Sequence, residues 1–178
     1  AANRSGKDTL QLLIKNGADI HKAGNDGCTP VYMAAAKNNK DTLELLIKNG
    51  ADLNKANNDG CTPVFIAAAK NHTKALQLLI EAGADTNKTT DNGITPLVNA
   101  AAQENNLQAV QLLIQAGADI HKASNKVFTP GYVAALENNK EVIHLLIQAG
   151  AGDDINKIDA FTAINNNNLK AINSLLYC

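Results

Sequence analysis

Each stretch of about 33 residues in this chain carries two different patterns of apolar residues. The first is a run of alanines that follows a Thr-Pro pair and three variable residues. The second places leucine and isoleucine at helical spacing, as in Leu76, Leu79 and Ile80. Spacings of three and four residues predict an amphipathic helix. We therefore expect an all-α chain built from pairs of helices, each with a thin first helix and an amphipathic second helix.

The helix pairs repeat at a fixed period. The Thr-Pro pairs, which contain every proline of the chain, start 33, 33 and 34 residues apart. A period of this size indicates stacked units that share one elongated core. The Thr-Pro pairs and the Leu-Leu-Ile runs begin, respectively, at Thr29, Thr62, Thr95 and Thr129 and at Leu45, Leu78, Leu112 and Leu145.

The boundaries of the helices can be read within each unit. Thr62 offers a hydroxyl that can cap the first helix, and Pro63 is favoured at the first helical position. Asn71 stands between the two helices, and asparagine tolerates the left-handed conformation best after glycine. Gly83 supplies the left-handed residue that ends the second helix.

Four copies of the frame T-P-x-x-x-A…L-L-I-x-x-G-A make the chain resemble the ankyrin repeat. The resemblance covers nearly the whole chain and implies an all-α solenoid of stacked helix-turn-helix units joined by β-hairpin loops. The chain is then a single ankyrin-repeat domain, 1–178. We assign a partial repeat to residues 1–23, full repeats to 24–56, 57–89, 90–123 and 124–157, and a C-terminal capping repeat to 158–178.

The first residues match the middle of a repeat. Counting back from the Leu-Leu-Ile run at Leu12 puts Ala1 and Ala2 in the alanine run of a first helix. We therefore expect the Thr-Pro pair of this repeat to lie upstream, in a longer polypeptide. An alternative function follows, in which the repeats are the targeting or substrate-recruiting arm of a larger multidomain enzyme or secreted effector.

The charge and composition of the chain exclude some classes of binding partner and indicate a cellular location. The net charge of −1 argues against a nucleic-acid-binding module, and no apolar run is long enough to span a membrane. Cys28 and Cys61 occupy equivalent places in successive repeats, about 10 Å apart, beyond the roughly 7 Å between α-carbons that a disulfide allows. We therefore expect free thiols and a reducing, cytoplasmic location, or a host cell if the parent protein is a secreted effector.

Candidate catalytic and metal-binding residues are scarce. His21 and His121 occupy equivalent places three repeats apart, too far to share a metal ion. Asp153 and Asp154 have no partner base. Each Gly-Ala-Asp sequence ends a helix, whereas a phosphate-binding loop opens one. The sequence therefore predicts no catalytic site, no cofactor, no metal site and no enzyme activity.

The resemblance also implies a binding surface. In ankyrin domains the hairpin tips and first helices line a concave groove that binds other proteins. Carried over by position, apolar side chains would anchor the partner and lysines would attract its acidic end. We predict a monomeric protein–protein interaction module that binds another protein, and neither nucleic acid nor a membrane. The predicted binding residues are Met33, Lys37, Ile66, Lys70, Ile94, Gln103, Phe128, Val133, Leu136 and Glu137.

The resemblance leaves one further role open. Asn54 and Asn87 resemble the hairpin asparagine that an asparaginyl hydroxylase modifies in eukaryotic ankyrin repeats, so the chain could itself be a substrate. The simpler interpretation, which we prefer, is that these asparagines make turn hydrogen bonds.

Overall fold

A computed structural model describes residues 2–125 and 128–152. Within these residues the chain consists of α-helices joined by turns, and no β-strand is present. The predicted helix pairs are confirmed, whereas the β-hairpin form of the loops is not seen in this part of the chain. The helices are α1 (Ala2–Lys15), α2 (Pro30–Ala36), α3 (Lys40–Lys48), α4 (Pro63–Ala69), α5 (Thr73–Glu81), α6 (Pro96–Ala101), α7 (Leu107–Gln115), α8 (Pro130–Leu136) and α9 (Lys140–Gln148).

The first helix of each full repeat begins at its Thr-Pro pair. Thr62 Oγ1 accepts a hydrogen bond from the Phe65 N–H at 3.1 Å, and Pro63 is the first helical residue. The missing N–H of proline costs nothing there, because the first N–H groups of a helix have no partner within it. The predicted cap is confirmed and recurs at Thr29, Thr95 and Thr129.

Left-handed residues end the helices where the sequence predicts them. Asn38, Asn71 and Asn138 have φ of +51°, +51° and +53° between the two helices of their repeats. Gly83 has φ of +84° after α5, and its N–H donates to Ile80 O at 2.9 Å. Helix ends of this kind satisfy carbonyls that would otherwise lack a donor.

The helices form two layers, because first helices pack on first helices and second helices on second helices. In the first layer α2 contacts α4, α4 contacts α6 and α6 contacts α8. Alanines let these helices approach closely, and Ala35 and Ala68 are completely buried. In the second layer the middle leucine of the Leu-Leu-Ile run is 0% exposed in every full repeat, at Leu46, Leu79, Leu113 and Leu146.

The helix α1 differs from the prediction. Ala2 lies in the same continuous helix as Leu10, and not in a separate first helix. Ser5 stands where Asn38 turns the chain in the next repeat, so the left-handed residue that separates the helices is missing. Leu13 is 52% exposed, whereas the equivalent Leu46, in the helix on which α2 packs, is 0% exposed.

The cysteines match the prediction only in part. Cys28 is a free thiol, and burial raises its pKa to about 11. Cys61 is disulfide-bonded, so the free-thiol prediction is wrong for this residue. The spacing argument had excluded only a bond between Cys28 and Cys61, and that conclusion holds.

The cytoplasmic location and the repeat boundaries stay predictions. The capping repeat at 158–178 and the pair Asp153 and Asp154 lie outside the described residues.

Candidate protein-interaction surface

The loops between successive repeats stack on one another. The backbone N–H of Asn58 donates to Asp26 O at 3.0 Å, and its side-chain Nδ2 donates to Asn25 O at 2.9 Å. Asn125 makes the equivalent two bonds to the loop before it, both at 3.2 Å. At these two junctions the loop tip is therefore fixed by the tip of the preceding repeat.

Two constraints require glycine in these loops. Gly27, Gly60 and Gly93 have φ between +75° and +78°, a conformation that L side chains rarely adopt. The next loop also lies very close. A Cβ atom on Gly93 would lie 2.2 Å from Asn125 Oδ1, and one on Gly27 would lie 2.4 Å from Asn58 Oδ1. These loops provide a rigid edge beside the first helices.

Asn54 and Asn87 form a second set of bonds between repeats. Asn54 Oδ1 accepts a hydrogen bond from the Asp85 N–H at 2.8 Å, and Asn54 O accepts one from Lys88 Nζ at 2.8 Å. Asn87 accepts the equivalent bonds from the next repeat, at 2.8 and 3.1 Å. The prediction of turn hydrogen bonds is wrong for these side chains, because their partners lie in the following repeat. Within the turn, the Asn54 backbone N–H donates to Asp52 Oδ1 at 2.8 Å. Hydroxylation of these residues is untested.

The sequence analysis missed a third set of bonds, which joins the two helix layers of neighbouring repeats. Asn106 Nδ2 donates to Ala68 O at 3.0 Å, and Asn139 Nδ2 donates to Gln103 O at 3.0 Å. His72 uses Nδ1 on Ala35 O at 3.0 Å, so this ring nitrogen carries a proton. The sequence signal is that the residue just before each of these second helices is Asn or His.

One face of the first helices forms the surface that we call the first-helix strip. Equivalent positions of the strip lie beside one another, because the first helices pack side by side. The strip consists of the fourth residue of each first helix and the two residues at its C-terminal end: Met33, Ile66, Asn99 and Val133; Ala36, Ala69, Ala102 and Leu136; and Lys37, Lys70, Gln103 and Glu137.

The predicted binding residues divide into three groups by exposure. The exposed group is Met33, at 40%, with Lys37 and Lys70. The half-buried group is Gln103, Phe128, Leu136 and Glu137. The buried group is Ile66, Ile94 and Val133, at 8%, 4% and 0% exposed. A partner can therefore contact the first two groups directly, whereas the third group supports the surface from beneath.

Phe128 is held in place by an aromatic contact at the start of α8. Its ring stacks on Tyr132 with a centroid separation of 5.3 Å and an interplanar angle of 16°. Offset or stacked aromatic pairs add stability beyond the area that they bury. A fixed aromatic ring loses little conformational entropy when a partner binds it. This end of the surface is therefore suited to an apolar contact.

Glu137 is in an unfavourable environment at the C-terminal end of α8. Burial raises the pKa of its carboxyl group above the ordinary value of 4.5, and the charge of Glu104 raises it further. The Oε1 atom is buried and accepts no hydrogen bond. A buried polar atom without a partner costs free energy, so this residue is not explained by the stability of the fold.

Metal-binding clusters and membrane-spanning helices are not found in the described residues. Among them, no cluster of three or more His, Cys, Asp and Glu side chains could hold a metal ion. Nor does any helix in 2–125 or 128–152 have the length and apolar character needed to cross a membrane. A depression of about 280 Å³ lies on α3 and α5, outside the first-helix strip, and is lined by Lys40, Lys74, Gln77, Leu78 and Glu81.

The fold therefore defines a solenoid of helix pairs. The family model for ankyrin repeats (3 copies) matches residues 1–90 and 76–159. The chain belongs to the ankyrin-repeat family, as the repeated frame predicted. Ankyrin repeats are generally protein–protein interaction modules and are typically non-catalytic. No curated protein matches the chain.

Proposed function

We propose that this chain is a non-catalytic interaction module that binds a segment of another protein along the first-helix strip. The observation that carries the proposal is a contrast between internal copies of the repeat. The middle leucine of the second helix is the same in every full repeat and completely buried. At the accessible C-terminal positions of the strip the copies differ, because the equivalent residues are Lys37, Lys70, Gln103 and Glu137, each of them exposed or half-buried. The strip is thus where each repeat has its own chemistry on a common scaffold.

Three apolar side chains of this surface are suited to anchor a partner. Met33 is exposed, and its flexible thioether side chain adapts to the shape of what it contacts. Phe128 and Leu136 are half-buried at the other end of the surface. Their supporting loops and helices are bonded from repeat to repeat, so binding would order few groups that are mobile beforehand.

The charge of the chain supports the choice of partner. A net charge of −1 gives no general attraction for nucleic acid or for anionic membranes. We infer that the module binds another protein as a monomer.

A pair of matched substitutions tests this proposal. Met33→Glu places a charge on the strip, and Leu107→Glu places the same charge on α7 in the other layer. The two side chains are 40% and 39% exposed, so both variants should fold equally well. We expect wild type and Leu107→Glu to capture the same protein from a cell lysate, and Met33→Glu to bind it at least about tenfold more weakly.

Mass spectrometry would identify the captured protein, and titration of the purified pair would give the affinities. Cross-linking of the complex would locate the contact on the chain. A partner whose affinity falls equally with Met33→Glu and Leu107→Glu, or only with Leu107→Glu, would place the binding surface elsewhere. A second variant, with charges in place of Leu136 on the strip and of Phe128 in the loop before α8, tests the other end once a melting curve shows that it is folded.

A further inference from the structure

The C-terminal ends of the first helices carry a sequence of charges along the strip. The C-terminal end of an α-helix has a partial negative charge, which favours cations and disfavours anions. Lys37 and Lys70 are the C-caps of α2 and α4, and both are exposed. Neither forms an ion pair with the described residues. These two cations are therefore free to meet an acidic partner.

At the other end of the strip the charge is reversed and the arrangement is unfavourable. Glu137 is the C-cap of α8, where the helix dipole disfavours an anion. Its Oε1 is buried without a donor, and Glu104 adds a second negative charge nearby. Within the described residues Glu137 has neither an ion-pair partner nor a hydrogen-bond donor. Buried polar atoms that lack a partner are uncommon in folded proteins, and each one requires an explanation.

A cationic side chain from a partner would remove this deficit. An arginine presents several N–H donors in one plane and can donate to two carboxylates at once. Placed against Glu104 and the accessible part of Glu137, it would neutralise the repulsion between the two carboxylates. Rotation of the half-buried Glu137 side chain toward the guanidinium would then give Oε1 the donor that it lacks. Hydrogen bonds between charged groups are stronger than neutral ones, so such a contact would select its partner strongly.

We propose that the first-helix strip binds a charge-segregated segment of its partner, with acidic side chains against Lys37 and Lys70 and an arginine against Glu137 and Glu104. This inference rests on the proposed function. It adds the chemistry of the segment and its direction along the strip. Neighbouring first helices are about 10 Å apart, so Lys70 and Glu137 are separated by about 20 Å. An extended chain covers that distance in about six residues.

The test is a selection from a displayed library of random peptides of about 16 residues, a length that can span the strip in extended form. We expect the enriched peptides to carry acidic residues and, about six positions away, an arginine or lysine. Synthetic versions of the enriched peptides then bind wild-type chain, and their affinities are measured by fluorescence anisotropy. A strip without this charge preference would enrich peptides whose charged residues are randomly placed.

A charge exchange identifies the contact. Glu137→Lys should weaken binding of an enriched peptide by at least about tenfold, and replacing the arginine of the peptide with glutamate should restore binding to that variant. Glu141→Lys, on the exposed side of α9, carries the same charge change and should leave affinity within about twofold. Glu137→Gln keeps the shape of the side chain, so it should weaken binding even if Glu137→Lys fails to fold.

The outcomes separate this inference from the function on which it rests. If enriched peptides lose affinity with Met33→Glu but show no charge segregation and no rescue, the inference is wrong and the proposed function stands. If no enriched peptide depends on Met33, both are wrong.

Discussion

The two ends of the first-helix strip place opposite charges at the same structural position. At repeats two and three, Lys37 and Lys70 cap helix C-termini, where the helix dipole favours a cation. At repeat five, Glu137 occupies the same cap position, half-buried and close to Glu104. The lysines therefore stabilise the helix ends at repeats two and three, whereas the negative charge of Glu137 destabilises the helix end at repeat five.

The backbone does not explain this difference. Thr29 and Thr129 cap α2 and α8 in the same way, and Asn38 and Asn138 turn the chain with nearly the same φ. The two ends therefore share one scaffold and differ in their side chains. Local rules of stability are most often broken at functional sites. Glu137 breaks such a rule without any gain visible in the described residues, so it directs the search for function to this end.

The largest effect is expected from the loop glycines, which should matter equally at both ends if the scaffold is the same. Gly27→Ala and Gly93→Ala each force a Cβ atom into left-handed backbone and against the next loop, at 2.4 and 2.2 Å. The left-handed conformation alone costs about 1–2 kcal/mol. With the displaced loop we expect each variant to lose about 3 kcal/mol or more of the free energy of unfolding, measured by urea denaturation.

Gly83→Ala is the matched control for the loop variants. Its φ is +84°, but no atom lies within 4 Å of the added Cβ, so it should lose only the backbone contribution of about 1–2 kcal/mol. Equal losses for Gly93→Ala and Gly83→Ala would show that the stacked loops contribute nothing beyond backbone conformation. A marked difference between Gly27→Ala and Gly93→Ala would show that the two ends differ in their scaffold as well as in their charge.

An intermediate effect is expected at the junction between the two ends. Asn106→Ala removes the donor to Ala68 O and leaves that carbonyl without this partner in a buried place. We expect a loss of about 1–3 kcal/mol in the free energy of unfolding, again by urea denaturation. Asn105→Ala changes the exposed neighbour and should have almost no effect. If both variants are equally stable, the side-chain bonds between layers do not hold neighbouring repeats together.

The smallest effects, of opposite sign at the two ends, are expected from the cap charges. Glu137→Gln should raise the free energy of unfolding by a few tenths of a kcal/mol, and Lys37→Gln should lower it by a similar amount. Each change alters the interaction with the helix dipole and keeps most of the packing. The same sign for both variants would remove the electrostatic contrast between the ends.

The pH dependence of the stability difference between wild type and Glu137→Gln tests whether the perturbed carboxyl group causes this effect. Because the pKa of Glu137 is raised in the folded state above 4.5, the native protein binds this proton more tightly than the unfolded chain. The resulting stability is present at low pH and is lost as pH rises through the folded-state pKa. The stability of wild type relative to Glu137→Gln should therefore fall as pH rises from about 4.5 through the raised folded-state pKa. A constant difference over this range would show that the carboxyl group is not perturbed.

Some of the surface could be predicted from sequence, and some could not. Thr62 and Asn71 act where the sequence places them, because a cap and a left-handed turn depend on a few adjacent residues. Position within the repeat also placed Met33 and Lys37 on the strip. It did not predict that Ile66 and Val133 are buried, since their exposure depends on how neighbouring elements cover them.

The sequence by itself determined the period of this protein, the two kinds of helix and their boundaries, because each of these follows from local spacing and local conformation. Only the tertiary structure decided which hydrogen bonds join neighbouring repeats and which side-chain atoms are buried. Asn54 bonds to the following repeat, Asn106 bonds to the preceding one, and the Glu137 Oε1 atom is buried without a donor. These contacts join residues that are distant in sequence, so they depend on how the repeats stack and not on the amino-acid sequence of any single repeat.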